Sequence, residues 1–329
     1  MAGDKPPANE GWIDVHAHYL PPVYYDALRD AGVTELDGGM PIPRWSLENS
    51  LEMMDRCRTA TQILSLSSPS VQFVRGAAAI RLARAVNEAG AACVKAHPGR
   101  FGLFATLPLE DVGASLAEIA FAFDNLGADG IVLMTNVHGI YLGSEALNPV
   151  FDDLNRRRAI VFLHPTSPAC FEALSLGRPA PVIEFPFDTT RAAVNLVFSG
   201  TTRRCPDIKF IIPHAGGTLP FLVHRIIRAS RLVPTGMNAT EAMLEMQRFY
   251  CDTAGAANAH AIPALRQLVP VTQILFGGDF PFTPEPIVGD YLAFLRSTDM
   301  FTDAERAAVG KDNALKLFPR LAQDRKARR

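Results

Sequence analysis

The stretch Trp12–His18, WIDVHAH, decides how the rest of the chain is read. It is a short apolar run that ends in two imidazoles, two residues apart. Residues i and i+2 of a strand share a face, so His16 and His18 are presented together at the strand's C-terminal end. Runs of the same kind recur at Gln62–Ser67, Phe101–Leu107, Gly130–Thr135, Ile160–His164, Ile208–His214, Phe249–Asp252 and Gln273–Asp279. Most read as buried on both faces, the pattern of a parallel sheet covered by helices. Helical patterns lie between them, at Ala78–Ala89, Leu116–Asn125, Ala146–Arg157, Thr190–Ser199, Leu219–Arg228 and Ala259–Leu268. The tail adds Gly289–Leu295, Asp303–Val309 and Asn313–Phe318, with Thr302 and Glu305 spaced as a capping box.

This alternation predicts an α/β fold, a (β/α)8 TIM barrel, read as one domain over residues 1–329. Barrels of roughly 250 to over 400 residues fold as single domains, and the chain has 329 residues, 48% of them hydrophobic. The rival, a doubly wound open sheet, usually opens with a Gly-rich phosphate loop, and none follows Trp12–His18. Two Gly/Pro-rich stretches read as long loops. Gly32–Ser46 follows the first strand, and Pro165–Asp188 follows the fifth as an active-site rim.

The formal net charge of -2 gives no field for nucleic acid or a membrane surface. The five cysteines are scattered without a CxxC pair, which argues for free thiols rather than a disulfide framework. The opening MAGDKPPANEGW has no apolar core of a secretory signal, and no apolar run reaches about 18 residues. A soluble, cytoplasmic protein is expected. The C-terminal RLAQDRKARR reads as a solvated basic end.

Polar groups end other strands as well. IVFLHP ends in His164, FIIPHAGG in His214 and ILFGGDFPF in Asp279. A buried strand does not normally finish in an unpaired acid or imidazole, and the C-terminal ends of barrel strands converge on one axis. His16, His18, His164 and Asp279 then make a three-nitrogen, one-oxygen ligand set. Such a set suits Zn²⁺, with Mn²⁺ or Fe²⁺ as alternatives; the competing reading is hydrogen-bonded structural histidines. His214 is placed as an acid–base group, since imidazole titrates near neutrality; the alternatives are a further metal ligand or a packing residue. Gly216 and Gly217 after it permit close backbone approach.

Candidate substrate contacts are weaker. Arg44 and Trp45 in MPIPRWS offer a cation and a stacking face, or equally a surface Arg beside an anchoring Trp. His138, after the fourth strand, faces either the pocket or solvent. Phe282, beside Asp279, is either pocket wall or core, as are Phe185 and Phe187. His260 falls in a helical stretch and reads as non-catalytic.

HAH near the N-terminus, HP after the fifth strand, HAGG after the sixth and GGDFPF after the eighth resemble the amidohydrolase superfamily, closest to its branch of non-oxidative decarboxylases. The similarity runs from WIDVHAH to KDNALKLF. MDRC, LSLSSP, GRFGLFATLPL, YLGSEALNPVFDDLNRR and EFPFDTTRA are most similar to members acting on 6-methylsalicylate. The resemblance implies a metal on His16, His18, His164 and Asp279, with His214 catalytic beside it. It also implies that Arg225, eleven residues past His214, reaches into a neighbouring subunit's site, so that a homodimer is the smallest complete unit.

Hydrolytic members often carry a metal-bridging lysine after the fourth strand, but GIVLMTNVHG has none, so one divalent ion is expected. The implied reaction converts an ortho-hydroxybenzoic acid to a phenol and CO₂ with no organic cofactor, Asp279 and His214 handling the proton. Two rivals stand beside it. One is a mononuclear hydrolase of a lactone or amide, and the other a barrel retained only for binding.

Overall fold

The computed structural model describes residues 11–230, 232 and 236–326. Eight parallel strands follow one another around a barrel in chain order. They are β1 (Trp12–His18), β2 (Thr59–Ser65), β3 (Phe101–Thr106), β4 (Gly130–Met134), β5 (Ile160–His164), β6 (Lys209–Ile212), β7 (Tyr250–Asp252) and β8 (Ile274–Leu275). A principal helix follows each strand: α1 (Leu47–Cys57), α2 (Ala77–Ala96), α3 (Val112–Asp124), α4 (Asn148–Arg156), α5 (Glu184–Phe198), α6 (Leu219–Ala229), α7 (Ala261–Leu268) and α8 (Glu285–Ser297).

Local signals account for many boundaries. Ser46 and Asp111 accept hydrogen bonds from Asn49 N and Ala114 N to cap α1 and α3. The expected Thr302–Glu305 capping box is present. α2 buries Ala79, Leu82, Ala83, Val86 and Gly90, a helical stripe laid on the sheet. Helices Pro22–Asp30, Leu47–Cys57 and Ala239–Met246 were not anticipated. Pro165–Asp188 is not all loop, because α5 starts at Glu184 and a short helix spans Phe171–Leu174. Gly32–Ser46 holds a two-stranded ribbon, Glu35–Leu36 against Met40–Pro41.

β6 and β8 end earlier than expected. Pro213 has no N–H to give the ladder, and His214 and Ala215 turn to φ 55° and 54°. β8 gives way to the irregular run 276–280, which still closes the barrel on β1. Val15 N donates to Phe276 O (3.0 Å), Asp279 N to His16 O (2.7 Å) and His18 N to Phe280 O (2.8 Å). Gly277 makes this approach feasible, since a Cβ there would stand 3.0 Å from the Cβ atoms of His16 and Asp252.

The barrel floor is apolar. Ile13, Val15, Ile63, Phe104 and Phe162 form one buried cluster with Phe318 and Leu321 from beyond β8. The expected basic end is therefore structural in part: Arg320 pairs with the buried Asp129 (2.7 Å), while residues 327–329 lie outside the described ones. The opening residues 1–10, where a leader was sought, are also outside them. No described helix is long and apolar enough to cross a membrane.

Candidate active site

The C-terminal ends of β1, β5 and β7 and the turns after β6 and β8 meet at one point. A break in the pairing of β1 with β2 between Asp14 and Ala17 re-aims β1. Val15 stays in the floor cluster, yet the adjacent His16 also faces inward, its ring 4.9 Å from Phe162. His16 Nε2 and His18 Nε2 stand 3.1 Å apart, as the i, i+2 spacing predicted. Asp279 Oδ1 lies 3.5 Å from the first and 3.1 Å from the second. His164 completes a buried three-imidazole group. His214 is in a second, overlapping group with His16 and Asp279, its Nε2 3.9 Å from Asp279 Oδ2.

The outer ring nitrogens divide these histidines. Nδ1 of His16 lies 2.9 Å from Asp252 Oδ2, Nδ1 of His18 3.2 Å from Ser65 O, and Nδ1 of His164 2.8 Å from Pro165 O. A carboxylate or carbonyl acceptor fixes the proton on Nδ1 and leaves the Nε2 lone pair free. Three bare lone pairs and a carboxylate oxygen crowded together repel one another unless a cation lies among them. Nδ1 of His214, by contrast, is buried and has no hydrogen-bond partner among the described residues.

Titration follows from the same crowding. Burial opposes protonation of His16, but the charges of Asp252 and Asp279 outweigh it and push the imidazole up to about 9. Burial and neighbouring His16 push His18 down, and burial with His18 and His16 holds His164 well below the usual range. Burial alone would raise Asp279; His16, His18 and His214 reverse it and keep the carboxyl well below the usual carboxylate range.

Asp252 is the residue that was missed. Fully buried at the end of β7, it accepts from His16 and also from His214 N (3.0 Å) and Ala254 N (3.0 Å), so one carboxylate holds a ring of the first group and the backbone of the second. Its signal was available, since Phe249–Asp252 also ends in an acid. Asp14, also buried, sits behind the cluster; burial pushes it up to about 7 against the pull of hydrogen bonds from His16 N and Gly278 N.

A cleft of about 590 Å³ opens over this point, lined by His164, His214 and Asp279 together with Met40, Phe185 and Phe282. Phe282 packs edge-on to His18 at 5.3 Å and Phe185 to His164 at 6.3 Å. Gly217 allows the cleft wall to close, since a Cβ there would meet Pro186 O at 2.3 Å.

Other expected contacts are elsewhere. Arg44 is exposed and outside the lining, although Asp37 and Met40 of the same loop belong to it. Trp45 packs 6.1 Å from Tyr19 in the apolar cluster under α2, as an anchor. His138 sits at the turn of a ribbon, 4.0 Å from Glu110, beside a separate cavity. Arg225 is exposed on α6, away from its own chain's cleft. His260, expected to be non-catalytic, stands at the N-cap position of α7 and lines the cleft.

An eight-stranded barrel with imidazoles and a carboxylate gathered at its C-terminal rim defines a class, and the chain belongs to it: the amidohydrolase family matches residues 13–320. Within that class it is similar to 6-methylsalicylic acid decarboxylase of Penicillium expansum, 39% identical over 94% of this chain and 96% of that protein. A solved amidohydrolase II superposes with a TM-score of 0.89 at 34% identity, covering 94% of this chain and 100% of the other. The fold is shared with a dihydroxybenzoic acid decarboxylase of Polaromonas, solved with manganese and 2-nitroresorcinol (TM-score 0.80, 23% identity, 94% and 97% covered).

Proposed function

We propose that this chain is a divalent-metal-dependent decarboxylase that converts an ortho-hydroxybenzoic acid of the 6-methylsalicylate type to a phenol and CO₂. The division among the outer ring nitrogens carries the reading. Three histidines have that nitrogen held by an acceptor, which suits metal ligands; one has it bare, which suits a proton carrier. His16, His18 and His164 through Nε2 and Asp279 through Oδ1 would hold the ion. Three nitrogens and one oxygen favour Zn²⁺, with Mn²⁺ as the second choice. When bound, the cation supplies fixed positive charge against the substrate's carboxylate and phenolic oxygens.

The two oxygens of Asp279 face different ways, Oδ1 toward His16 and His18 and Oδ2 toward His214. Oδ2 is therefore the atom that delivers a proton to the ring carbon bearing the carboxylate. That proton is loaded as substrate binds, with His214, whose Nε2 lies 3.9 Å from Oδ2, as its relay. Protonation breaks aromaticity; the carbon–carbon bonding pair then returns to the ring as CO₂ leaves, and the phenol forms. No organic cofactor is required, because the ring accepts the charge. Phe282 and Phe185 hold the ring.

A homodimer fits the surface. Phe221 is 89% exposed at the cleft mouth, and Arg225, one helical turn on, shares its face of α6. A second copy seated there covers Phe221 and brings Arg225 toward the facing cleft as the carboxylate's cation. The segment 165–183 forms the rim through Pro181. The five free cysteines accord with a reducing compartment, the cytoplasm.

The test is CO₂ release from Zn²⁺- or Mn²⁺-loaded protein with a panel of ortho-hydroxybenzoates, with and without chelator. Chelator-sensitive release with a matching phenol is expected. Metal-loaded protein that releases none, but opens lactones or amides, would replace this reading with a hydrolase.

A further inference from the structure

The cleft carries a second carboxylate that the chemistry above does not use. Asp37 lies in the turn of the ribbon Glu35–Leu36/Met40–Pro41 and lines the cleft. Three donors converge on its Oδ2: Ser68 Oγ at 2.6 Å, Thr166 Oγ1 at 2.8 Å and Ser167 N at 2.7 Å. One oxygen thus ties the loops after β1, β2 and β5, and Gly38 O reinforces the tie by accepting from Ala180 N (2.9 Å). The clasp lies close to the reacting centre. Ser67, next to Ser68, reaches 3.4 Å from His164 Nε2, and Thr166 is two residues past His164. The other oxygen of Asp37, Oδ1, makes no hydrogen bond among the described residues. No Lys or Arg lines the cleft among them either.

We infer that Asp37 is a specificity-determining residue: its clasped carboxylate makes the cleft accept aromatic mono-acids and reject those carrying a second anionic group on the ring. The first carboxylate has the metal centre as its counter-charge. A second, anywhere along the Asp37 wall, meets a like charge and finds no Lys or Arg from its own subunit among the described residues. Clasping fixes the charge in place, since Oδ2 cannot turn away without releasing three donors. Like-charge juxtaposition is an effective way to exclude a competitor of suitable shape. The inference rests on the decarboxylase reading only for its choice of ligands.

The experiment is equilibrium binding to metal-loaded protein, so it needs no turnover. The probes are salicylate and salicylates carrying a carboxylate or a carboxamide at ring position 4 or 5. Amide and acid are nearly the same size and differ in charge. The wild type is expected to bind the amides at least about tenfold more tightly than the matching di-acids, the scale of a like-charge contact near a protein surface. In Asp37→Asn, which keeps an oxygen for the clasp and removes the charge, the preference is expected to vanish while salicylate affinity and metal content hold. Wild-type protein that excludes amide and acid alike, or binds them alike, overturns the inference, even where the variant does not fold. A preference unchanged in Asp37→Asn also overturns it. Failure of CO₂ release with the binding preference intact would instead count against the reaction assigned above.

Discussion

The two ends of the barrel are built from the same strands and have opposite chemistry. At the floor, Ile13, Val15, Ile63, Phe104 and Phe162 close on one another, and Phe318 and Leu321 plug the opening. At the rim, the chain presents His16, His18, His164, Asp252 and Asp279. Phe162 is the boundary, with His16 4.9 Å away on one side and Phe104 stacked at 5.3 Å on the other. The floor has no side-chain polarity to satisfy in this cluster, so burial there is pure stabilisation. The rim concentrates groups whose mutual repulsion a bound cation relieves. Stability and chemistry therefore occupy separate layers, and substitutions should separate them.

The largest effect is expected at the rim. Asp279→Asn should lower CO₂ release by about a thousandfold with metal saturating, within the range for loss of a positioned acid–base group, while the thermal midpoint changes little. Near-normal turnover would remove Asp279 from the proton path. At the floor, Phe318→Ala should cost about 3–5 kcal/mol in denaturant unfolding, yet leave turnover per folded, metal-loaded molecule intact. An equal fall in both would mean that the layers are coupled.

Asp252→Asn tests the join between layers. The one amide oxygen of Asn stays with His214 N and Ala254 N and turns the nitrogen, which cannot accept, to His16 Nδ1, so metal affinity measured against a competing chelator should fall about 10- to 100-fold. Arg225→Ala should reduce kcat/KM by about tenfold with metal content unchanged; identical constants would take α6 out of the site. The smallest effect is on the outer wall, where Glu285 pairs with Arg56 (2.6 Å) and links α8 to α1. The Arg56 hydrogen bonds hold Glu285 below its ordinary 4.5. Its stabilisation is therefore present above 4.5 and lost as pH falls through the lower, folded value. Glu285→Gln should lower stability slightly at neutral pH, make its loss on acidification slightly less steep between 4.5 and the folded value, and change nothing below that value.

The rim was legible because its signal is local: an apolar run ending in an ionisable side chain marks His16, His18, His164 and Asp279 wherever the strands sit. The floor was legible as hydrophobic strands, but its plug was not, since Phe318, between two short helices, and Leu321, in the second of them, look like any surface pair. The break in β1 was invisible, because strict alternation cannot put both Val15 and His16 inward. Arg44 and Trp45 stayed open between two readings in the sequence, because the course of a long loop depends on tertiary packing. The place of His260 on the cleft was not legible, because a helix pattern does not say that the first turn opens on a cavity.

The plug also orders the protein's birth. Phe318 and Leu321 leave the ribosome after every strand whose floor they close, so the nascent barrel holds an apolar well with nothing beneath it. Its first strand must likewise wait more than 250 residues for residues 276–280 to complete its edge. Such late, distant closure slows folding and leaves greasy surface exposed to aggregation or to chaperones. Synthesis that stalls before residue 318 would deliver a chain with its whole reactive rim encoded and no floor to stand on.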